Sequence, residues 1–410
     1  MARPRILTGI RSINDVDPQA VYYDAVVGTS GAADYTTVKA AVDAGKKRIL
    51  VTANVTEAAS TTLTVSTEID LLAGVTIAMG AFRFILSAEV TVKVRGQAGS
   101  LISWGYGSAL QLFDVGAFTD SIIAIDGVNL TNTSSVANCY LTAGYMELRN
   151  LKLTLPNQSN CGIRGLQSGS GGRNNIVENI HLTGGGAACT LGIDLSKGFL
   201  SGILLTGTFL TTAGNYVIQM GGEVMAWGLD IGSNNIKAAG NVSDVNVSGG
   251  TGTIEVAADT KIEKSRCSVM KILGTGVYIY SSEIGSLTHD TGIGQALLAE
   301  CRITGTSYTV DGVDNKFENC VFSDNIGTVT VPSGVEHAHF ADCTFAGDVV
   351  VNGNYTRIGG CRVGETAGGG AQVITVGAGT TFVNVFDTFV DNAIVDNSAG
   401  GLTQSNVQVY

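Results

Sequence analysis

Charged residues, aromatics, proline and long apolar runs are all scarce in this 410-residue chain, and each scarcity removes a class of protein. Charged residues make up 14% and the net charge is −11, so the body offers no cationic surface for a nucleic acid. No run of about 18 apolar residues occurs, which argues against a helical membrane span, and the N-terminal MARPRILTGIRSIND lacks the apolar centre of a signal peptide. With 4 prolines the chain is not a proline-rich linker, and aromatics at 7% are few for a long aromatic-lined sugar groove. The eight cysteines form no CxxC pair and no metal-type spacing, so neither a redox dithiol nor a zinc site is expected. HExxH, GxSxG, a P-loop and calcium-binding nonapeptides are also missing.

What is abundant is glycine (55), set among Val, Ile, Leu and Ala, a mixture suited to short strands joined by tight turns. Within it a six-residue pattern recurs as LAECRI (298–303), FENCVF (317–322), FADCTF (340–345) and IGGCRV (358–363), with Cys301, Cys320, Cys343 and Cys361 spaced 19, 23 and 18 residues apart. Freed of the cysteine, the pattern extends back through IDGVNL (125–130), LRNLKL, VENIHL, LSGILL, AWGLDI, VSDVNV and IEKSRC to IYSSEI (279–284). These twelve copies are spaced 16 to 29 residues apart, and a weaker thirteenth lies in Phe382–Val390. A period near twenty predicts a solenoid of stacked coils.

The pattern also predicts how each coil turns. Positions 4 and 6 alternate along a strand and share its inner face. Positions 1 and 4 are both apolar yet three apart, so the chain must bend between them. Position 3 is Gly, Asn or Asp in nine of the twelve copies, the residues that best tolerate a left-handed conformation. Each copy therefore reads as strand, one-residue corner, strand, with successive coils paired in parallel about 4.8 Å apart. The expected fold is all-β, a right-handed parallel β-helix over residues 53–410. The four cysteines form a buried structural ladder of free thiols, interchangeable in that column with Ser, Val, Leu and Ile.

Two segments precede the coils. Residues 1–20, with Arg3, Arg5 and Arg11, bury no core and are expected to act as a docking arm. Residues 21–52 form a capping segment with a helix at about 34–44, N-capped by Asp34 and ended by Gly45. That segment, YYDAVV followed by DYTTVKAAVDAGKKRILV, resembles the N-terminal cap of pectate-lyase-like β-helix proteins, many of them from tailed bacteriophages. The resemblance covers the chain beyond residue 20. It implies a virion protein assembled in the host cytoplasm, of spike, fibre or head-decoration type. It implies a homotrimer held to capsid, tail or adaptor proteins through the arm, with host-surface glycan as a further partner and no cofactor.

A site is harder to read. The marks of pectin-cleaving enzymes (NTD, DD, GHG and RIK; an arginine–proline stretch; QDTL) are absent, so a non-enzymatic role is expected and no catalytic residue is named. A depolymerase that cleaves host capsule or O-antigen is the alternative, and a cellular β-helix adhesin is a second. For cleavage, the outward carboxylates Glu178, Asp230, Glu263, Glu283, Glu300 and Glu318 are candidates, since two carboxylates about 5–10 Å apart suffice. An outward ion ladder of Arg266, Glu283 and Arg302 accounts for Glu283 without chemistry. Trp227 and Tyr280 are candidate ligand-binding platforms, with Trp104 on an earlier coil. His337 and His339 face outward on one strand as weak metal candidates, whereas His289 looks like part of a turn.

Overall fold

The one-residue corner is the backbone feature that recurs most regularly. In all twelve copies position 3 has φ between +46° and +71°, including Lys264 (47°), Ser281 (46°) and Glu300 (55°), where the residue type gave no hint. Asp387 (49°) makes the thirteenth copy regular, and Asn406 (51°) marks a fourteenth, QSNVQV at 404–409, which the sequence pattern had not singled out. The computed structural model describes residues 22–409 except 106–110, 119, 134–140, 143–144, 158–161, 166–173, 211–214, 248–251, 290–293, 311, 324–325 and 365–371. Arg3, Arg5 and Arg11 lie outside the described residues.

Among the described residues the protein is all-β apart from one short helix, and every strand pair is parallel. The chain divides into two compact units at residues 210 and 211. In the first unit, in-register pairing stacks Ala25, Ile49, Ile69, Val94, Ile125, Leu148, Val177 and Leu200 in one column. All of them are buried. Identical positions superpose because a parallel ladder with one residue per corner repeats the same inward direction on every rung.

The second unit repeats this with two inner columns. Position 1 stacks Ile262, Ile279, Leu298, Phe317, Phe340, Ile358 and Val385, and position 6 stacks Cys267, Ile284, Ile303, Phe322, Phe345, Val363 and Val390. Phe317 lies on Phe340 at 4.9 Å and Phe322 on Phe345 at 4.8 Å, both with nearly parallel planes, so ring stacking follows the strand spacing. A separate five-stranded parallel sheet runs through Tyr308–Thr309, Thr328–Val331, Asp348–Val351, Val373–Val376 and Ala393–Asp396.

Position 4 lies between those columns and does more than fill space. Ser265, Ser282, Cys301, Cys320, Cys343, Cys361 and Thr388 each donate a hydroxyl or thiol hydrogen to the carbonyl two residues back, at 2.8–3.5 Å. That bond spans the corner and ties its two arms together. The column accepts apolar fillers as expected, with Val128, Leu151, Ile180, Ile203, Leu229 and Val245 buried at position 4 of the earlier copies, and in these seven copies it carries small donors. The six described cysteines that are free are also all buried, and burial pushes the Cys267 thiol up to about 12.

The capping helix spans Val38–Asp43, shorter than the expected 34–44. Thr37, not Asp34, is its N-cap, because the Asp34 carboxylate instead accepts from the Val26 N–H at 2.9 Å and closes the preceding turn. The Val38 and Lys39 N–H groups donate to buried Glu57 at 2.7 and 3.1 Å. Burial raises the Glu57 pKa, and the two N–H bonds oppose that shift. Gly45 ends the helix at φ 74°, with Gly45 N–H donating to the Val42 carbonyl and Lys46 N–H to that of Ala41. Val38 and Ala41 turn inward.

Two placements differ from expectation. Trp104, expected outward, is fully buried at the end of the strand Leu101–Trp104. His289, expected in a turn, closes the strand Glu283–His289 and is 7% exposed, with Nε2 3.4 Å from the Tyr308 hydroxyl. In both cases strand pairing carries the inward position further along the strand than the turn residues nearby suggest, for Trp104 with a register shift against the strand Thr76–Gly80.

Burying a charge in the position-4 column has a definite cost. Cys320→Asp is expected to lower unfolding free energy by about 3–5 kcal/mol, and Cys320→Ser, which keeps the donor, by less than about 1 kcal/mol. Chemical denaturation followed by circular dichroism measures both. His289 predicts a pH effect. Burial lowers its pKa to about 4, against 6.5 for the exposed side chain, so the unfolded chain takes up the proton first. Its contribution is complete above pH 6.5 and is lost as pH falls towards 4, by about 3 kcal/mol in all. Denaturation midpoints at pH 7 and pH 4.5 should separate more for the native chain than for His289→Gln.

Candidate functional site: an aromatic and cationic groove on the second unit

From IEKSRC (262–267) onward, a second column of corners lies three residues before the first apolar residue of seven successive copies. It comprises Asp259, Gly276, Gln295, Asp314, His337, Tyr355 and Phe382, all with φ between +53° and +71°. Backbone bonds link it rung to rung: Asp314 N–H donates to the Glu336 carbonyl, His337 N–H to that of Asn354 and Tyr355 N–H to that of Thr381. A left-handed conformation costs a side chain with a Cβ roughly 1–2 kcal/mol, and bulky residues adopt it rarely. Tyr355 (56°) and Phe382 (57°) hold it because the rungs above and below leave no other register.

The strained column carries an exposed aromatic stack. Tyr355 and Phe382 lie parallel, with centroids 4.9 Å apart and planes 5° apart, and are 43% and 64% exposed. His337 continues the row, its ring 5.0 Å from that of Tyr355. Its Nδ1 donates to the Asp314 carboxylate at 2.9 Å, which fixes the orientation of the ring.

Two residues further along each rung, a second outward column runs beside the first. Lys316, His339, Arg357, Asn384 and Thr403 pair in register, and the residues between the columns, among them Ala338 and Val383, are buried. The two columns enclose a groove of about 720 Å³. Burial first, then Arg357 and Lys316, lower the His339 pKa, so its imidazole is uncharged at neutral pH and the cations of the groove are Lys316 and Arg357. Among the described residues, neither makes an ion pair.

The histidines flagged in the sequence share this groove. His337 sits at a corner, not in the strand, and is held by Asp314, while His339 lies between two cations, which disfavours a metal ion there. Among the described residues, no group of three or more His, Cys, Asp or Glu side chains could hold one. Trp227 is 43% exposed and Tyr280 half-buried in one column, with Ser243 and Glu263 on the rungs between them, so they form no shared platform. The Lys261 ammonium lies 5.5 Å from the Tyr280 ring centre. Of the expected outward carboxylates, Glu178 pairs with Arg149 (3.8 Å), Glu263 with Lys261 (2.6 Å) and Glu283 with Arg266 (3.5 Å). Glu300 accepts from Ser281 at 2.8 Å and Asp230 from Asn246 at 3.4 Å. Arg302 aligns with Glu283 in the expected ladder.

Sequence reasoning missed Tyr355, Phe382, Lys316 and Arg357. The signal that could have found the aromatics is their place three residues before the copies IGGCRV and VFDTFV, where the five copies preceding them carry Asp, Gly, Gln or His. The charged cluster on the first unit makes a useful contrast. There Arg95 binds Asp70 and Glu68 at 2.9 and 3.0 Å, Lys93 binds Glu68 at 3.3 Å, and the Tyr23 hydroxyl donates to Asp70 at 2.9 Å, so the charges satisfy one another.

Relief of strain gives a readout that is separate from binding. Tyr355→Asn and Phe382→Asn, which suit φ near +56°, are expected to hold or raise the melting temperature despite losing the ring contact. Differential scanning calorimetry of the two variants checks this; a clear fall in both would mean that the corner stores no strain.

No family model matches the sequence, and no curated protein matches it. Two solved structures are similar at a low level. One is the Agl-KA catalytic domain, 11% identical, with 91% of this chain and 64% of that chain covered and a TM-score of 0.23. The other is bacteriophage CBA120 tailspike protein 3, 12% identical, with 97% of this chain and 62% of that one covered and a TM-score of 0.24. The chain spans less than two thirds of the length of either, and at these scores the likeness carries no family or activity to it.

Proposed function

We propose that this chain is a right-handed parallel β-helix of the phage virion type that recognises host-surface glycan through the groove on its second unit. The parallel, in-register columns and left-handed corners support the β-helix, and crossovers between parallel strands are right-handed in about 98% of cases. Residues 1–20, with Arg3, Arg5 and Arg11, serve as the docking arm towards other virion proteins, and the working form is a homotrimer.

The observation that carries the glycan reading is the Tyr355–Phe382 stack. Two parallel, stacked aromatic rings left in solvent on strained backbone contribute nothing evident to the core, yet they offer the flat apolar face on which a sugar ring stacks. Recognition without cleavage is the first reading. The Asp314–His337 pair favours cleavage as the second, since a carboxylate-oriented imidazole beside a bound sugar is a general base in form.

Binding to an array of purified capsule and O-antigen polysaccharides, quantified by calorimetry for each hit, tests the proposal. Tyr355→Ala and Phe382→Ala should each weaken binding about tenfold, corresponding to about 1–1.5 kcal/mol of lost stacking. Unchanged affinity in both variants would remove the groove as the site. Release of new reducing ends, lost in His337→Gln, would replace recognition by cleavage.

A further inference from the structure

The cations beside the aromatic stack carry the reading further, to the class of glycan. Lys316, His339 and Arg357 occupy consecutive rungs of one outward column, so their backbones are about 4.8 Å apart and the two cations about 10 Å. Like charges on nearby rungs are unfavourable, and elsewhere on this protein the described basic side chains are commonly offset by carboxylates. Arg48, Lys93 and Arg95 meet Glu68; Arg83 meets Asp114, Arg164 meets Asp194 and Arg266 meets Glu283. Lys316 and Arg357, two rungs apart in one groove, have no such partner among the described residues.

The surrounding acids do not cancel them. The Asp314 carboxylate is engaged by His337, and Glu318, which acts on His339, lies in the adjacent outward column without forming an ion pair to either cation. The aromatic column and the cationic column are two residues apart on the same rungs, so Tyr355 and Arg357 both face outward across buried Thr356. A sugar stacked on the rings therefore presents its ring substituents to the cations.

From this juxtaposition we infer that the groove selects acidic glycans, with Tyr355 and Phe382 holding the sugar ring while Arg357 and Lys316 receive an oxyanion carried on it. The planar guanidinium of Arg357 suits a carboxylate in two-point contact, and Lys316 supplies a point charge two rungs further along the groove. The inference rests on the glycan reading and deepens it, adding a requirement for negative charge that stacking alone does not impose.

The test uses the full chain and the same polysaccharide array, grouped as neutral, carboxylated and sulfated or phosphorylated repeat units. Charged polymers should bind at least about tenfold more tightly than neutral ones, and rising salt should weaken them alone. The double variant Lys316→Gln, Arg357→Gln should abolish that preference while leaving stacking-dependent binding, and its melting temperature confirms that it is folded. The carboxylated and the sulfated or phosphorylated arms distinguish the source of the oxyanion; preference for either, lost in the double variant, supports the inference. Equal binding of neutral polymers, unaffected by the double variant but lost in Tyr355→Ala, would overturn the acidic preference and leave glycan recognition standing. Absence of binding in every arm would overturn both.

Discussion

A single backbone constraint governs the strand–corner–strand units: one residue per corner in the left-handed conformation, followed at once by a strand that pairs in parallel with its counterpart about twenty residues on. Because that corner consumes one residue each time, the inward positions of successive rungs superpose and cannot slip by one without turning a whole column outward. Columns of identical character follow, whether aliphatic in the first unit or phenylalanine stacks in the second. The small donors at position 4 belong to the same constraint, since a hydroxyl or thiol there bridges the corner it follows.

The same register that orders the core also imposes strain outside it. At most second-column corners the chain places Asp, Gly, Gln or His, which accept the conformation with modest cost. At two adjacent rungs it places tyrosine and phenylalanine instead, and the rungs hold them there. The result is a rigid aromatic surface whose geometry is set by backbone pairing and not by side-chain freedom. Preorganisation of this kind lowers the entropic cost of holding a ligand. The neighbouring cations share that rigidity, because they too are fixed at the strand spacing. The depressed basicity of His339 between them comes from burial first and from these two cations second.

Much of this was legible in the sequence. Gly, Asn and Asp at nine corners announced the left-handed turns, and the apolar positions around them announced which side faced inward. Lys264, Ser281 and Glu300 are corners despite their residue types, since neighbouring rungs leave them no alternative register. The helix was placed nearly correctly by its apolar positions and its terminating glycine. Its N-terminus was misassigned because Asp34 and Thr37 are both good caps, and a contact to the strand Ala25–Val27 chose between them. Trp104 and His289 were misread because polar and glycine-rich neighbours suggested exposure where the ladder continued inward.

The sequence by itself determined the period, the corner and the inner columns, because each is a local requirement repeated many times and so leaves a pattern. The tertiary structure decided what stands beside what on the outer face. Asp314, His337, Tyr355 and Phe382 are 18 to 27 residues apart in sequence and adjacent only through the rungs that connect them. Outward positions face solvent, so no packing rule restricts their residue types, and the intervening loops vary in length. Their neighbours are therefore set by strand register alone, which is a property of the folded ladder.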